Sequence, residues 1–379
     1  MDRIQIASPS FGEEELVAIQ EPIKTGWLTQ GKHVKEFESN FASMHGVKYA
    51  LATSSCTTAL HLMLAAAGIG PGDEVIVPSF TWVSTANSVL YCGATPVFVD
   101  IDLDTFNISL EETLKKVTPK TKAVIAVDLF GLCVDIKLFR EKLGTDILVF
   151  EDAACAAGGS LNGNMAGSMS HAAAFSFHPR KSITTGEGGM LTTQSNDLAK
   201  IAEKMRNHGA EISEEERHNG PAPYLLPEFN LLGFNYRMTD LQGAVGVEQL
   251  TKLNKFIAER NSQADYYQEQ LQDVEWLSLP SKPANGIHAW QAYVTRIKHT
   301  DSNFRNRLMA ALDSDGIATR PGTHAIHLLG YYSKKYKFKP SEFPNSLIAN
   351  ESTMAIPLHN KLTRTDQDRV IYSLKNFKG

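Results

Sequence analysis

The chain has 379 residues, 42% of them hydrophobic and 21% charged, and 37 Lys and Arg against 42 Asp and Glu leave a net charge of −5. This is the composition of a folded globular protein of about two or three domains, and it excludes disorder, collagen and a small disulfide scaffold. The mildly acidic balance argues against nucleic acid or an anionic membrane as the main partner.

In chain order, Ser10-Phe11-Gly12-Glu13 reads as a capping box opening a helix that runs through Glu21. Strands are predicted over 48–53, 74–78, 96–102, 122–128 and 147–151, with helices over 57–67, 82–91, 110–117 and 136–143 between them. Further strands are predicted over 172–177 and 189–193. Segments such as VIVP, VFVDI, AVIAV and ILVF are apolar at successive positions, as expected of parallel strands covered on both faces. Alternating strands and helices then imply an α/β domain with right-handed crossovers. The polar, proline-containing stretch 210–229 reads as a loop, and 239–273 as two long helical stretches. A strand over 292–297 and helices over 303–315 and 365–376 form a smaller α+β part. The expected division is 1–240 and 241–379.

Cys56, Cys92, Cys133 and Cys155 have no zinc-like spacing, and a chain this long does not need a disulfide framework. The first residues lack the apolar core of a signal peptide, and the apolar stretch 49–70 is broken by Thr53-Ser54-Ser55-Cys56-Thr57-Thr58. No membrane association is expected, and the default location is the cytoplasm. The turn Gly68-Ile69-Gly70-Pro71-Gly72 follows a helix and lacks the full dinucleotide-loop pattern.

In an open α/β sheet, ligands bind beyond the carboxyl ends of the strands, so the chemistry is sought there. The Thr53–Thr58 run opens a helix and suits a phosphate; an ordinary N-cap is the bland alternative. Trp82, after the second strand, is placed to stack on a flat ligand or to pack in the core. Asp152 ends an apolar strand, where a carboxylate is costly unless something cationic meets it. Lys181 lies in Phe175-Ser176-Phe177-His178-Pro179-Arg180-Lys181-Ser182, followed by a Gly-rich turn without a P-loop pattern. A sheltered lysine can lose its proton and condense with a carbonyl. An amine, a carboxylate, a phosphate cradle and a ring partner together fit pyridoxal 5′-phosphate (PLP).

Lys181 and its surroundings, Glu151-Asp152-Ala153-Ala154, TGWLTQGKHVKEFE, GFNYRMTDLQGAVGVEQL, Ile356-Pro357-Leu358-His359 and Asp366-Gln367-Asp368-Arg369-Val370-Ile371 resemble the DegT/DnrJ/EryC1/StrS family of nucleotide-sugar aminotransferases over almost the whole chain. The resemblance implies an aspartate-aminotransferase-like fold (fold type I), with a mostly parallel large domain, a smaller C-terminal domain and a homodimer with shared sites. It implies that Lys181 holds PLP covalently and moves protons, that Asp152 pairs with the ring nitrogen and that Trp82 stacks on the ring. Ser55, Cys56, Thr57 and Ser176 would surround the phosphate, and Asn235 would reach the cofactor of the neighbouring subunit. Cys155 stands where relatives often carry Gln or His near the ring oxygen, and Cys56 where Gly is common.

The implied reaction moves the amino group of glutamate to a nucleotide-linked keto-sugar, at C4 of a 4-keto-6-deoxyhexose by the likeness of HPRKSITTGEGGM, for a surface polysaccharide or glycan. Candidate substrate contacts are Trp27, Thr29, His178, Arg320 and His327. His324 and His327 lack a third partner for a metal, and none is expected. Three other readings stand beside this one: amination at C3, dehydration of a similar sugar, and a non-catalytic regulatory homologue. Dehydrating members carry His in place of Lys181, which favours amino transfer here.

Overall fold

A computed structural model describes residues 2–298, 301 and 303–378. The chain opens with helices α1 (Glu13–Ala18), α2 (Gln20–Thr25) and α3 (Lys32–His45). The expected first helix is split at Ile19, because Pro22 has no N–H to continue the ladder. The capping box is centred on Gly12, whose N–H donates to Glu15 Oε2 at 2.8 Å. Helix α3 has no counterpart among the predicted elements. Its buried face is Val34, Phe37, Phe41 and His45, at the three- and four-residue spacing of a helix packed on one side.

Strands and helices then alternate as β1 (Tyr49–Thr53), α4 (Cys56–Ala66), β2 (Glu74–Pro78), β3 (Phe80–Thr81), α5 (Ser84–Tyr91), β4 (Thr95–Val99), α6 (Leu110–Lys115), β5 (Thr121–Val127), α7 (Ile136–Leu143) and β6 (Leu148–Asp152). A short hairpin, β7 (Ser160–Leu161) and β8 (Asn164–Met165), precedes β9 (Ala172–Ser176) and β10 (Gly189–Thr193). The main sheet has seven strands in the order β1-β10-β9-β6-β5-β2-β4. Strands β9, β6, β5, β2 and β4 run parallel, and β10 is antiparallel to both of its neighbours. Its inner residues are buried on both faces, as the apolar strand sequences predict.

Beyond the sheet come α8 (Asn196–Arg206), α9 (Glu214–Asn219) and α10 (Asp240–Leu271). The stretch expected as loop holds α9, capped by Ser213 Oγ, which accepts from Glu216 N. The two stretches expected over 239–273 form one helix of 32 residues. Gly243 and Gly246 do not interrupt it, because α3 packs against them: a Cβ at Gly243 would lie 2.6 Å from Val34 N, and one at Gly246 would lie 2.7 Å from the Phe37 ring. The first half of α10 packs Leu250, Leu253, Phe256 and Ile257 into the core of the large sheet. Its second half puts Ala264, Tyr267 and Leu271 into a separate core.

The chain continues as β11 (Leu277–Ser278), β12 (Gly286–Ile287), β13 (Tyr293–Ile297), α11 (Phe304–Ser314), β14 (His324–Ala325), α12 (Gly330–Tyr336), α13 (Pro344–Ser352), β15 (Thr353–Ile356) and α14 (Arg364–Asn376), of which β11, β13, α11, β15 and α14 build that second core. Strands β11, β13 and β15 make a small antiparallel sheet, while β12 joins the β7–β8 hairpin. Ile4 also packs here, with backbone hydrogen bonds to Gly316 and Ala318. Among the described residues no helix is long and apolar enough to cross a membrane.

Candidate active site

Strand β6 delivers Asp152 to the carboxyl edge of the sheet, where it is 4% exposed. Its Oδ2 accepts from Thr85 Oγ1 at 2.7 Å and its Oδ1 from Ala154 N at 3.3 Å. Burial pushes the Asp152 carboxyl pKa up, and the Thr85 hydrogen bond and the Lys181 charge act against that rise. Among the described residues none forms a salt bridge with it, so the carboxylate is set up to receive a cation from outside.

Lys181 reaches the same place from the loop between β9 and β10. That loop is rigidly tied: Lys181 N donates to His178 O, Thr184 Oγ1 and Thr185 N both donate to Phe177 O, and Thr184 N donates to Gln249 Oε1 of α10. The Lys181 amine donates to Cys155 Sγ at 3.3 Å. Cys155 in turn donates to Gln291 Oε1 at 3.4 Å, and Gln291 Nε2 donates to Arg180 O at 2.9 Å. Gln291 thus links the C-terminal part to the lysine loop. Neither it nor Thr85 was among the sequence candidates, since each works through a partner distant in the chain.

A phosphate cradle lies alongside. Ser55 caps α4, its Oγ accepting from Thr58 N, and Cys56 and Thr57 are the first helical residues. Cys56 takes ordinary helical angles, so the side chain in place of a glycine is tolerated. Its thiol pKa is pushed well up by burial and by Asp152, which puts it within electrostatic range of the carboxylate. Thr57 Oγ1 donates to Ser84 Oγ at 3.0 Å. Gly189 pairs with Ser176 on one side and Thr53 on the other, and a Cβ there would lie 2.5 Å from the Ser55 carbonyl and 2.6 Å from Cys56 N. The strand end and the helix N-terminus are therefore pressed together, with Ser176 beside them, as an anion site built on a helix N-terminus requires. The amine, the buried carboxylate and this cradle fit PLP.

Trp82 is 59% exposed and outside the core. Its ring lies 5.8 Å from that of His324, because β3 pairs with β14 through Thr81↔His324 and Phe80↔Ala325. Arg320 is bonded through its backbone to Ala355, and its Nε is buried without an acceptor. Burial and the neighbouring Arg180 lower the Arg320 pKa, and Cys155 lies within the same electrostatic range. Arg180, Arg320 and Lys181 all lie within electrostatic range of His178. His178 is half-buried, with Nδ1 accepting from Arg180 N at 3.2 Å, and its pKa is lowered chiefly by burial.

Other candidates sit differently. His327 is 1% exposed, its Nδ1 2.6 Å from Ser79 Oγ and its Nε2 3.2 Å from Pro340 O. Both ring nitrogens are thus occupied inside the protein. Trp27 donates to Gln30 O and packs 5.3 Å from His218, with Thr29 exposed on the same loop. Asn235 is exposed, on a segment joined to Asn207 and to the end of β1. Among the described residues no cluster of three metal-ligating side chains occurs.

The family model described as the DegT/DnrJ/EryC1/StrS aminotransferase family matches residues 9–375. GDP-perosamine synthase of Caulobacter vibrioides is 38% identical over 377 residues, 99% of this chain and 98% of that protein. The spore coat polysaccharide biosynthesis protein SpsC of Bacillus subtilis is 37% identical over 372 residues, 97% of this chain and 95% of that one. Among solved structures, Spr1654 of Streptococcus pneumoniae in its PLP form superposes with a TM-score of 0.91 at 27% identity, covering 98% of both chains.

Proposed function

We propose that this chain, which belongs to the DegT/DnrJ/EryC1/StrS aminotransferase family, carries the amino group of glutamate to C4 of a nucleotide-linked 4-keto-6-deoxyhexose, in amino-sugar synthesis for a surface polysaccharide or glycan. It is a PLP-dependent aminotransferase with the fold of the type I class. The observation that carries the reading is the meeting of the Lys181 amine and the Asp152 carboxylate at one sheet edge, electrostatically coupled in a buried site. The names of the relatives support a nucleotide-linked sugar as acceptor and a polysaccharide as destination.

When bound, PLP supplies an aldehyde that exchanges amines and an electron-poor ring that stabilises a carbanion. Asp152, held by Thr85, would keep the ring nitrogen protonated. Ser55, Cys56, Thr57 and Ser176 would hold the phosphate, and Trp82 would cover the ring. Lys181 would hold the cofactor at rest and, once released, move a proton between the two carbons of the exchange as general acid and base. Cys155 gives the released amine a resting contact 3.3 Å away. Arg320 and Arg180 would receive an anionic group, either the donor's carboxylate or the sugar nucleotide's diphosphate. His178 is placed beside them, and Trp27 and Thr29 would border the sugar. The large domain is taken as 1–240 and the smaller as 241–379.

A homodimer completes the reading. Leu226 and Leu232 are each 85% exposed and Tyr224 82%, on one segment beside exposed Asn235. Apolar side chains so grouped favour burial against a second copy, which would carry Asn235 to the partner's cofactor.

The test is incubation with glutamate and a panel of nucleotide 4-keto and 3-keto sugars, with products identified by mass and NMR. A glutamate-dependent 4-amino sugar is expected. A 3-amino product would move the site of amination, and a deoxygenated product without amine would replace transfer by dehydration.

A further inference from the structure

Strand β6 carries two adjacent carboxylic acids that point to opposite faces. Asp152 faces the cofactor side, with α5. Glu151 faces α7, opposite Ala126 of β5 in the parallel ladder. Two residues beyond Ala126, Asp128 lies on the same face, and its N–H donates to Asp152 O at 3.1 Å. Both side chains are buried, Asp128 fully and Glu151 to 2% exposure.

Each acid has one oxygen satisfied by backbone. Asp128 Oδ1 accepts from Val134 N at 2.8 Å, and Glu151 Oε1 accepts from Gly167 N at 2.9 Å. The other oxygens, Asp128 Oδ2 and Glu151 Oε2, are buried without a hydrogen-bond partner, as is Ser170 Oγ beside Glu151. Each carboxyl bears on the other's titration, and one proton held between them would satisfy both of these carboxyl oxygens. Two carboxylate charges this close in a buried site cannot both persist. Among the described residues no lysine, arginine or histidine pairs with either. The ionisable groups facing the pair are Asp152 and Cys133, and Lys181 and Cys56 face Asp152 from its other side. A cavity of about 310 Å³, lined by Cys133, Glu151, Met165 and Ala166 among others, lies on this face.

We propose that Asp128 and Glu151 share one proton as a buried acid–carboxylate pair behind Asp152, and that the one negative charge they retain helps Asp152 keep the PLP ring nitrogen protonated. The pair are positioning residues: they touch neither cofactor nor substrate and act through the field at Asp152. Burial pushes both carboxyl pKa values up, Asp128 further than Glu151, so the proton is assigned to Asp128. A full negative charge on the far side of one strand, shielded from water, is felt across the sheet. This inference rests on the proposed role of Asp152.

The test uses holoenzyme reconstituted with PLP labelled with ¹⁵N at the ring nitrogen, whose NMR shift reads protonation directly, followed across pH. D128N keeps the hydrogen bond and the charge on Glu151, so its titration should match the native protein. D128N/E151Q keeps an amide hydrogen bond but removes the charge, so the ring nitrogen should lose its proton about one pH unit lower. Circular dichroism confirms that both variants fold, and E151Q alone stands in should the double variant not fold. An unchanged titration in D128N/E151Q, with the native ring nitrogen protonated, overturns the role of the pair and leaves Asp152 intact. A native ring nitrogen that is neutral at pH 7, or a protonated one that stays so in D152N, overturns the role of Asp152 instead. A titration displaced in D128N as far as in the double variant overturns the placing of the charge on Glu151.

Discussion

The amine of Lys181 donates to the thiol of Cys155 across 3.3 Å, and that thiol donates onward to Gln291. The thiol is oriented by this arrangement: its proton goes to the amide and its lone pair to the lysine. Cys155→Ala should leave PLP bound but remove the resting contact of the free amine. We expect a decrease in kcat of about tenfold or less with little change in KM, since a neutral hydrogen bond contributes about 1 kcal/mol. Single-turnover measurement of the first half-reaction checks it.

Replacing Lys181 removes the proposed proton carrier itself. Lys181→Ala should bind PLP non-covalently and lose amino transfer by at least about 10³-fold. Steady-state assays with glutamate and a keto-sugar nucleotide measure the loss, and reduction with borohydride followed by mass spectrometry should find no cofactor fixed to the chain.

Arg320 presents a buried Nε without an acceptor, and a second guanidinium, Arg180, lies within electrostatic range. Such a pair is repulsive until an anion enters. Arg320→Ala should raise the KM of the anionic substrate it serves by about 10- to 100-fold, as expected for a lost charge-assisted bond. Comparing the KM of glutamate with that of the sugar nucleotide identifies which anion it receives.

The neighbouring His327 gives the opposite expectation. Its nitrogens are spent on Ser79 and Pro340, so His327→Ala strands the buried Ser79 hydroxyl and opens a cavity in place of the buried ring. Stability should fall by about 2–4 kcal/mol in denaturant titration, with KM values within twofold of the native protein.

Burial raises the carboxyl pKa values of Asp128, Glu151 and Asp152. A folded pKa above the unfolded one means that the folded chain holds protons that the unfolded chain releases. The stabilisation is complete below the ordinary carboxylate range and is lost as pH rises through the raised values. The Tm of cofactor-free native protein, relative to D128N, should therefore fall with rising pH across that window. Calorimetry of both proteins over a pH series checks the sign.

Much of this architecture was legible in the chain. Apolar runs located all seven strands of the main sheet within a residue or two at most ends, and the strand termini pointed to Asp152 and Lys181. Local signals failed where packing outweighed them. The stretch 239–273 read as two helices, yet it is one, and Gly243 and Gly246 stay inside it because α3 packs where their side chains would be. Lys32–His45 was passed over although Val34, Phe37 and Phe41 carry its period. Thr85, Gln291 and Arg180 gave no sign, because what they do is defined by Asp152, Cys155 and Arg320, each far off in sequence. His327 looked available for substrate because nothing near it in the chain predicts Ser79 as its partner.

The two-rung ladder between β3 and β14 fixes Trp82 to His324. An indole set over the proposed ring position is thereby spliced mechanically to the segment that carries Arg320. Occupancy of that segment should alter the emission of the indole, which makes the enzyme its own optical gauge of substrate arrival, with no dye attached.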